Sequence, residues 1–390
     1  MAVLEPECVN LPPGWHIDPD TGAWMRDTIH HMGRRCRNWD YCGTGVYMIT
    51  IVLNDRPSRV FGRLRDDRPE VELSELGRLV GEHFLRIGEF TSEIEVLGVR
   101  VMPDHLHGVL RVNHRMVKPL GEQLRGFKIG ATKIARQRGV CSAIDGGELR
   151  GRGLFADGFV DTILGSHEAI EKELAYIADN PRRLWEKRRH PELFRVLRDL
   201  RWRETSTGRE LHFAAIGNHA LLDAAQLLQV QCSRAYFAYA KSGDGSLLKD
   251  APPMVETPEF REKAEALLAA AAHGAVLVSP CISHGEKEIA RRAYAAGAKV
   301  ITLANKGFSP LYKPGGKLFD QCADGKLLML APAEWPYLPG QKPITRMDAC
   351  VLNRIAQLIA GDGAVEIDYK GARLDGIEEA VMRATEATSE

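Results

Sequence analysis

Between Asp104 and Val112 the chain alternates, and this period of two predicts a strand with His105, His107, Val109 and Arg111 on one face and Leu106, Leu110 and Val112 on the other. Val46 to Leu53 and Ile94 to Met102 read as two earlier strands, the second turning at Pro103-Asp104 into the histidine strand. Between them lies an amphipathic helix with Leu73, Leu76, Val80 and Phe84 on one side. A second helix is expected from about Pro119 to Arg138, then a Gly-rich stretch from Gly146 to Gly153 and a short strand near Gly158 to Leu164. Beyond a Ser166 cap, Ile170, Leu174 and Ile177 fall at helical spacing, and Pro181 predicts the helix end at Asn180 because it disfavours helical geometry in the residue before it. This β-α-β-β-α-β order is a ferredoxin-like α+β plan: one antiparallel sheet with helices on one face.

After about Arg209 the pattern changes. Apolar runs at Leu211 to Ile216, Ala275 to Ser279 and Lys299 to Leu303 alternate with helical stretches: an Ala- and Leu-rich one after Gly217-Asn218, then Glu259 to Ala272, then Glu286 to Ala296. Such alternation predicts a Rossmann-like, doubly wound parallel sheet, so the fold class is α/β. In such sheets ligands bind beyond the carboxyl ends of the strands, which nominates Gly217, Asn218, Ser279, Ser283, His284 and Gly285, with Asn305 and Lys306, as a pocket. A length of 390 residues also suits two domains. The expected division is an irregular leader (1–40), a first domain (41–209), a second (210–370) and a tail (371–390).

The chemistry concentrates in the first domain. Period two aims His105 and His107 at one point on an accessible sheet face, where they could hold a divalent cation if a third group arrives and positions stay open for substrate. Asn180 lies one helical turn beyond Tyr176, so its amide oxygen could complete that shell while the phenol faces a bound phosphate. Two imidazoles suit Mn²⁺ at least as well as Mg²⁺. A formal net charge of zero argues against a generic polyanion binder, yet Arg111 to Arg138 holds eight Lys or Arg against Glu122 alone, and a second basic run covers Arg182 to Arg203. Arg111, Arg125, Lys128, Lys133, Arg182 and Arg183 are therefore candidates to line a groove for nucleic-acid phosphates. The eight cysteines contain no C-x-x-C pair and read as reduced thiols in a cytoplasm, and no apolar run approaches the ~18 residues of a membrane span.

Pro103-Asp104-His105-Leu106-His107 and Tyr176-Ile177-Ala178-Asp179-Asn180-Pro181 resemble the "P-x-H-h-H" strand and "Y-I-x-x-N-P" helix of the single-tyrosine HUH transposases, particularly the REP-associated tyrosine transposases. Tyr47 to Leu53, Gly126-Phe127-Lys128 and Gly158-Phe159-Val160-Asp161 agree with that family, and the likeness spans roughly Asn38 to Arg198. It implies a cytoplasmic, nucleoid-associated enzyme of DNA transposition and recombination. Tyr176 would attack single-stranded or hairpin DNA to leave a 5′-phosphotyrosine, with Mg²⁺ or Mn²⁺ on His105, His107 and Asn180, and a homodimer is compatible with this. The alternative is a domesticated protein that binds hairpins without cutting. The second half is similar to the Rossmann-like domain of the DNA-processing protein A and lysine-decarboxylase-like group, through Ala215-Ile216-Gly217-Asn218 and Ser279 to Glu286. There the usual Ser-Gly-x-Ala-x-Gly phosphate loop is replaced by Ser-Pro-Cys-Ile-Ser-His-Gly. The implied role is nucleotide or single-stranded DNA binding.

Overall fold

The computed structural model describes residues 15–17, 24–26, 39–140, 153–204, 207–232, 236–238, 255–309, 312–338, 343–367, 369 and 372–386. They form two compact units, 1–188 and 189–390. In the first, β1 (Trp15–Ile17) pairs with β2 (Trp24–Arg26), so the leader expected to be irregular carries a short hairpin. There follow β3 (Gly45–Val52), β4 (Gly62–Leu64), β5 (Val71–Leu73), α1 (Glu75–Leu85), α2 (Ile87–Phe90), β6 (Ile94–Met102), β7 (His105–Val112), α3 (Leu120–Gln137), β8 (Val160–Leu164) and α4 (His167–Arg189). The main sheet has the order β6-β7-β3-β8 with every pair antiparallel, which is the expected ferredoxin-like arrangement. Of the Gly-rich stretch, all but Gly153 lies outside the described residues.

Period two in β7 sorts the core as expected. Leu106, Leu110 and Val112 pack with Val80 and Phe84 of α1 and Leu124 and Phe127 of α3. Val109, on the histidine face, packs instead with Met48, Ala169 and Ile177. Helices therefore cover both sheet faces, not one, because the histidine face is itself apolar at Val109 and Met48 and α4 crosses it. Gly98 makes room for this crossing, since a Cβ there would lie 2.7 Å from Leu174 Cδ2.

On the opposite face Gly108 lies under Phe84, whose ring would stand 2.3 Å from an added Cβ. That ring is fully buried and edge-on to Phe127 at 5.1 Å between centroids, so it has little room to yield. Gly108→Val is expected to destabilise the fold by about 1–3 kcal/mol through overpacking. An unchanged urea midpoint would contradict this packing.

Pro181 does not end α4, which runs on to Arg189. Proline removes one intrahelical hydrogen bond, but Asn180 and Pro181 are both buried and side chains brace the next turn. Asp179 accepts from Arg182 Nε at 2.6 Å and Nη2 at 2.8 Å, and Trp185 Nε1 donates to the Asp66 carbonyl at 3.4 Å. Tertiary contacts here outweigh the local preference.

The second unit contains β9 (Leu197–Arg203), β10 (Glu210–Gly217), β11 (Leu227–Gln229), β12 (Phe237–Ala238), β13 (Val255–Glu256), α5 (Pro258–Ala272), β14 (Val276–Ser279), α6 (His284–Ala295), β15 (Val300–Leu303), α7 (Gly316–Ala323), β16 (Leu327–Pro332), α8 (Arg346–Ala360) and α9 (Leu374–Ala384). Its six-stranded sheet runs β11-β14-β15-β16-β10-β9. The first four strands are parallel, as alternation with helices predicts, but β10 is antiparallel to β16 and β9 to β10, so the sheet is mixed. After Gly217-Asn218 comes a 3₁₀ turn (His219–Asp223) and a short strand instead of the expected helix. The unit begins ahead of the expected boundary because β9, read as part of the second basic run, pairs with β10. The last segment is not a tail: α9 buries Ile377 and Val381 in the core of this unit.

Candidate active site

The register of the first sheet builds the site. His107 lies opposite Thr50 on β3, and Thr50 Oγ1 stands 2.9 Å from His107 Nδ1. His105 Nδ1 donates to Asp104 Oδ1 at 2.6 Å, and Asp104 Oδ2 accepts from Arg56 Nε at 2.8 Å. With each Nδ1 occupied, both Nε2 atoms turn to one point and stand 3.1 Å apart. Asp104 fixes the proton of His105 on Nδ1, which leaves a lone pair on its Nε2.

The electrostatics favour a neutral His107. Burial pushes the His107 imidazole down to about 3, with repulsion from His105 adding to this and Asp104 opposing it. Burial alone would raise the Asp104 carboxyl, but the hydrogen bonds from His105 and Arg56 outweigh it and hold the group well below the usual carboxylate range. His107 is only 7% exposed, so it lies less open than the accessible face expected. The unfolded chain, whose histidine has its ordinary value of 6.5, binds a proton that folded His107 does not. Metal-free protein should therefore lose stability as pH falls through the window from 6.5 toward 3. Thermal melts in chelator should show a weaker fall in His107→Gln, and an identical fall in both proteins would remove His107 as its source.

Helix α4 brings the other candidates. Ser166 Oγ caps its start by accepting from the Ala169 N–H at 3.1 Å. Tyr176 packs edge-on to His107, ring centroids 6.1 Å apart, and remains 38% exposed. One turn on, Asn180 is buried, its Nδ2 without a hydrogen-bond partner, and no hydrogen bond joins it to either histidine. Because turning the amide exchanges its oxygen and nitrogen, that orphaned position could equally present a cation-binding oxygen.

These residues fit a divalent cation. The two Nε2 atoms, 3.1 Å apart, are close enough to serve as two nitrogen ligands of one cation. Among the described residues no group of three His, Cys, Asp or Glu is placed to hold a metal. His105 and His107 would hold it with an amide or solvent oxygen as third ligand, leaving positions open.

The basic candidates divide. Arg183 reaches the site, its guanidinium carbon 5.4 Å from the centre of the Tyr176 ring. Arg182 pairs with Asp179, and Arg111 with Glu95 at 3.1 Å. Arg125, Lys128 and Lys133 line a cleft of about 730 Å³ between α3 and the 153–159 segment, with α3 packed on the face away from the histidines. Lys128 donates to the Ala156 carbonyl at 2.7 Å and to that of Gly158, so it braces the cleft wall. The α3 cations and Arg183 therefore lie on opposite faces of the first sheet and do not wall one groove around Tyr176. Sequence reasoning assigned no role to Thr50, Arg56 or Asp104; for Thr50 the missing signal was the pairing of β3 with β7.

In the second unit the nominated pocket comes apart because β10 runs antiparallel. Gly217 pairs with Leu328 near the start of β16, and Asn218 Nδ2 donates to the Gly325 carbonyl at 2.8 Å, whereas Ser279 closes β14 at its carboxyl end. Ser283 caps α6, where His284 and Gly285 form the first turn, and Glu286 accepts from the Ile282 and Ser283 N–H groups at 2.8 and 3.0 Å. The loop amides that would cradle a phosphate thus already hold a carboxylate. A cleft of about 820 Å³ beside this loop is lined by Cys281, Lys287, Asn305, Lys306 and Arg346.

No family model matches the chain. A Haemophilus influenzae protein of uncharacterized function is 25% identical over 130 residues, 28% of this chain and 71% of that relative. Among solved structures, a REP-associated tyrosine transposase bound to a REP hairpin is similar at a TM-score of 0.27 and 13% identity, covering 36% of this chain and 69% of that one. A transposase-like protein of Deinococcus radiodurans is similar at 0.24 and 15%, covering 37% and 95%. At such scores the likenesses carry no argument about this chain. No helix among the described residues is long and apolar enough to cross a membrane.

Proposed function

We propose that the first unit is a metal-dependent DNA strand transferase of the single-tyrosine type, acting on single-stranded or hairpin DNA. The observation that carries this reading is the convergence of two imidazole Nε2 atoms, 3.1 Å apart, beneath an exposed tyrosine whose ring packs on one of them. A bound Mn²⁺ or Mg²⁺ supplies Lewis-acid polarisation of a phosphodiester. Tyr176 Oη bonds to phosphorus as the bond to the 3′ oxygen breaks, the phenolic proton passes to solvent, and the 3′ oxygen takes up a proton. The products are a 5′-phosphotyrosine and a 3′-hydroxyl, and the reverse attack reseals the strand. Arg183, over the Tyr176 ring, keeps positive charge beside the phenol.

The test is a denaturing gel of purified protein with a labelled pool of hairpin oligonucleotides, randomised beside the stem, with Mn²⁺ or with chelator. The expected result is a covalent adduct with Mn²⁺ and none with chelator. Binding without an adduct under any divalent cation would favour a protein that holds hairpins without cutting them.

A further inference from the structure

Arg100 is a charged residue between two valines, Val99 and Val101, in β6, and neither the histidines nor the core account for it. Its Cα partner on β7 is His107, whose partner on β3 is Thr50, so Arg100, His107 and Thr50 form one row across the sheet. Directly opposed residues of antiparallel strands show their side chains on the same face, with Cβ atoms about 5 Å apart. Arg100 therefore stands on the histidine face, two residues from Gly98, where Leu174 and Ile177 of the Tyr176 helix pack. Its Nε is buried with no hydrogen-bond partner, and among the described residues no carboxylate pairs with its guanidinium.

A buried, unsatisfied N–H costs about 1–3 kcal/mol, and a cationic one more, unless a ligand supplies the acceptor. A guanidinium presents a planar fork suited to two oxygens of one phosphate. We propose that Arg100 is a catalytic residue that holds the non-bridging oxygens of the phosphodiester attacked by Tyr176. This rests on the strand-transferase reading above. Negative charge gathers on those oxygens as the phenol attacks, and a fixed donor beside them is worth more there than in water.

Two measurements test it and separate it from the underlying reading. In the first, Arg100→Gln and Arg100→Lys are compared with the unsubstituted protein for the rate of adduct formation on a hairpin recovered from the pool. The same hairpin is also made with a methylphosphonate, one charge fewer, at the cut position. Arg100→Gln should slow cleavage of the natural phosphate about a hundredfold or more, Arg100→Lys less, and both should approach the unsubstituted protein on the methylphosphonate. In the second, Arg100→Gln is placed in the non-cutting Tyr176→Phe background and binding of a twenty-residue oligothymidylate is followed against salt. The slope of log affinity against log salt should fall by about 0.7.

Cleavage within about threefold of the unsubstituted rate in a folded Arg100→Gln protein, or an unchanged salt slope, overturns the proposal and leaves the transferase reading standing. If Arg100→Gln does not fold, Arg100→Lys decides by the same two criteria. If the unsubstituted protein forms no adduct, the transferase reading fails, and Arg100 then fails as a catalytic residue whatever the salt slope shows.

Discussion

Tyr176→Phe removes the adduct while leaving fold and DNA binding in place. The substitution deletes one oxygen and keeps the ring, which is what packs edge-on to His107 and lies under Arg183. Because Tyr176 is 38% exposed, losing its hydroxyl strands no buried partner, and the thermal midpoint should not move measurably. Removal of a nucleophile that forms the covalent bond costs about 10⁴-fold or more in rate, since positioning and electrostatics alone cannot replace it. Affinity for the recovered hairpin, measured by fluorescence anisotropy, should stay within about twofold. An undiminished adduct in Tyr176→Phe would assign the nucleophile to another residue.

What the sequence made legible depended on whether a position is set locally. The strand period alone placed His105 and His107 on one face, and Leu106 and Leu110 in the opposite core, because alternation is a property of the strand itself. The same reasoning could not see that α4 crosses the histidine face, which depends on the space above Gly98, a contact between β6 and a helix about eighty residues away. Pro181 shows the opposite failure: its local preference is real, but buried packing and the Asp179–Arg182 pair carry the helix through it. In the second unit the parallel strands were legible as apolar runs between helices. The direction of β10 was not, because Leu211 to Ile216 reads the same whichever way it pairs, and with that direction went the grouping of Gly217 and Asn218 with Ser279. Nothing in the sequence singled out Arg100, and only the register of β6 on β7 puts it beside His107.

The His pair allows the second large effect. His105→Ala and His107→Ala should each abolish Mn²⁺ binding, read from the electron paramagnetic resonance of free Mn²⁺, together with adduct formation, because one imidazole and solvent do not hold a divalent cation at micromolar concentrations. The two should differ in stability. His107 is buried against Thr50, so its truncation leaves a cavity and should cost about 1–3 kcal/mol, whereas His105 is more open and its loss should cost less. Asp104→Asn keeps both imidazoles but removes the carboxylate that fixes the His105 tautomer, so Mn²⁺ affinity should weaken about 10–100-fold instead of vanishing. That graded order, with the histidine variants worst and Asp104→Asn intermediate, follows from two lone pairs aimed at one point and one carboxylate aiming the first of them. If the His105/His107 double variant bound Mn²⁺ as the unsubstituted protein does, the cation would sit elsewhere and the convergence of the two rings would be packing alone.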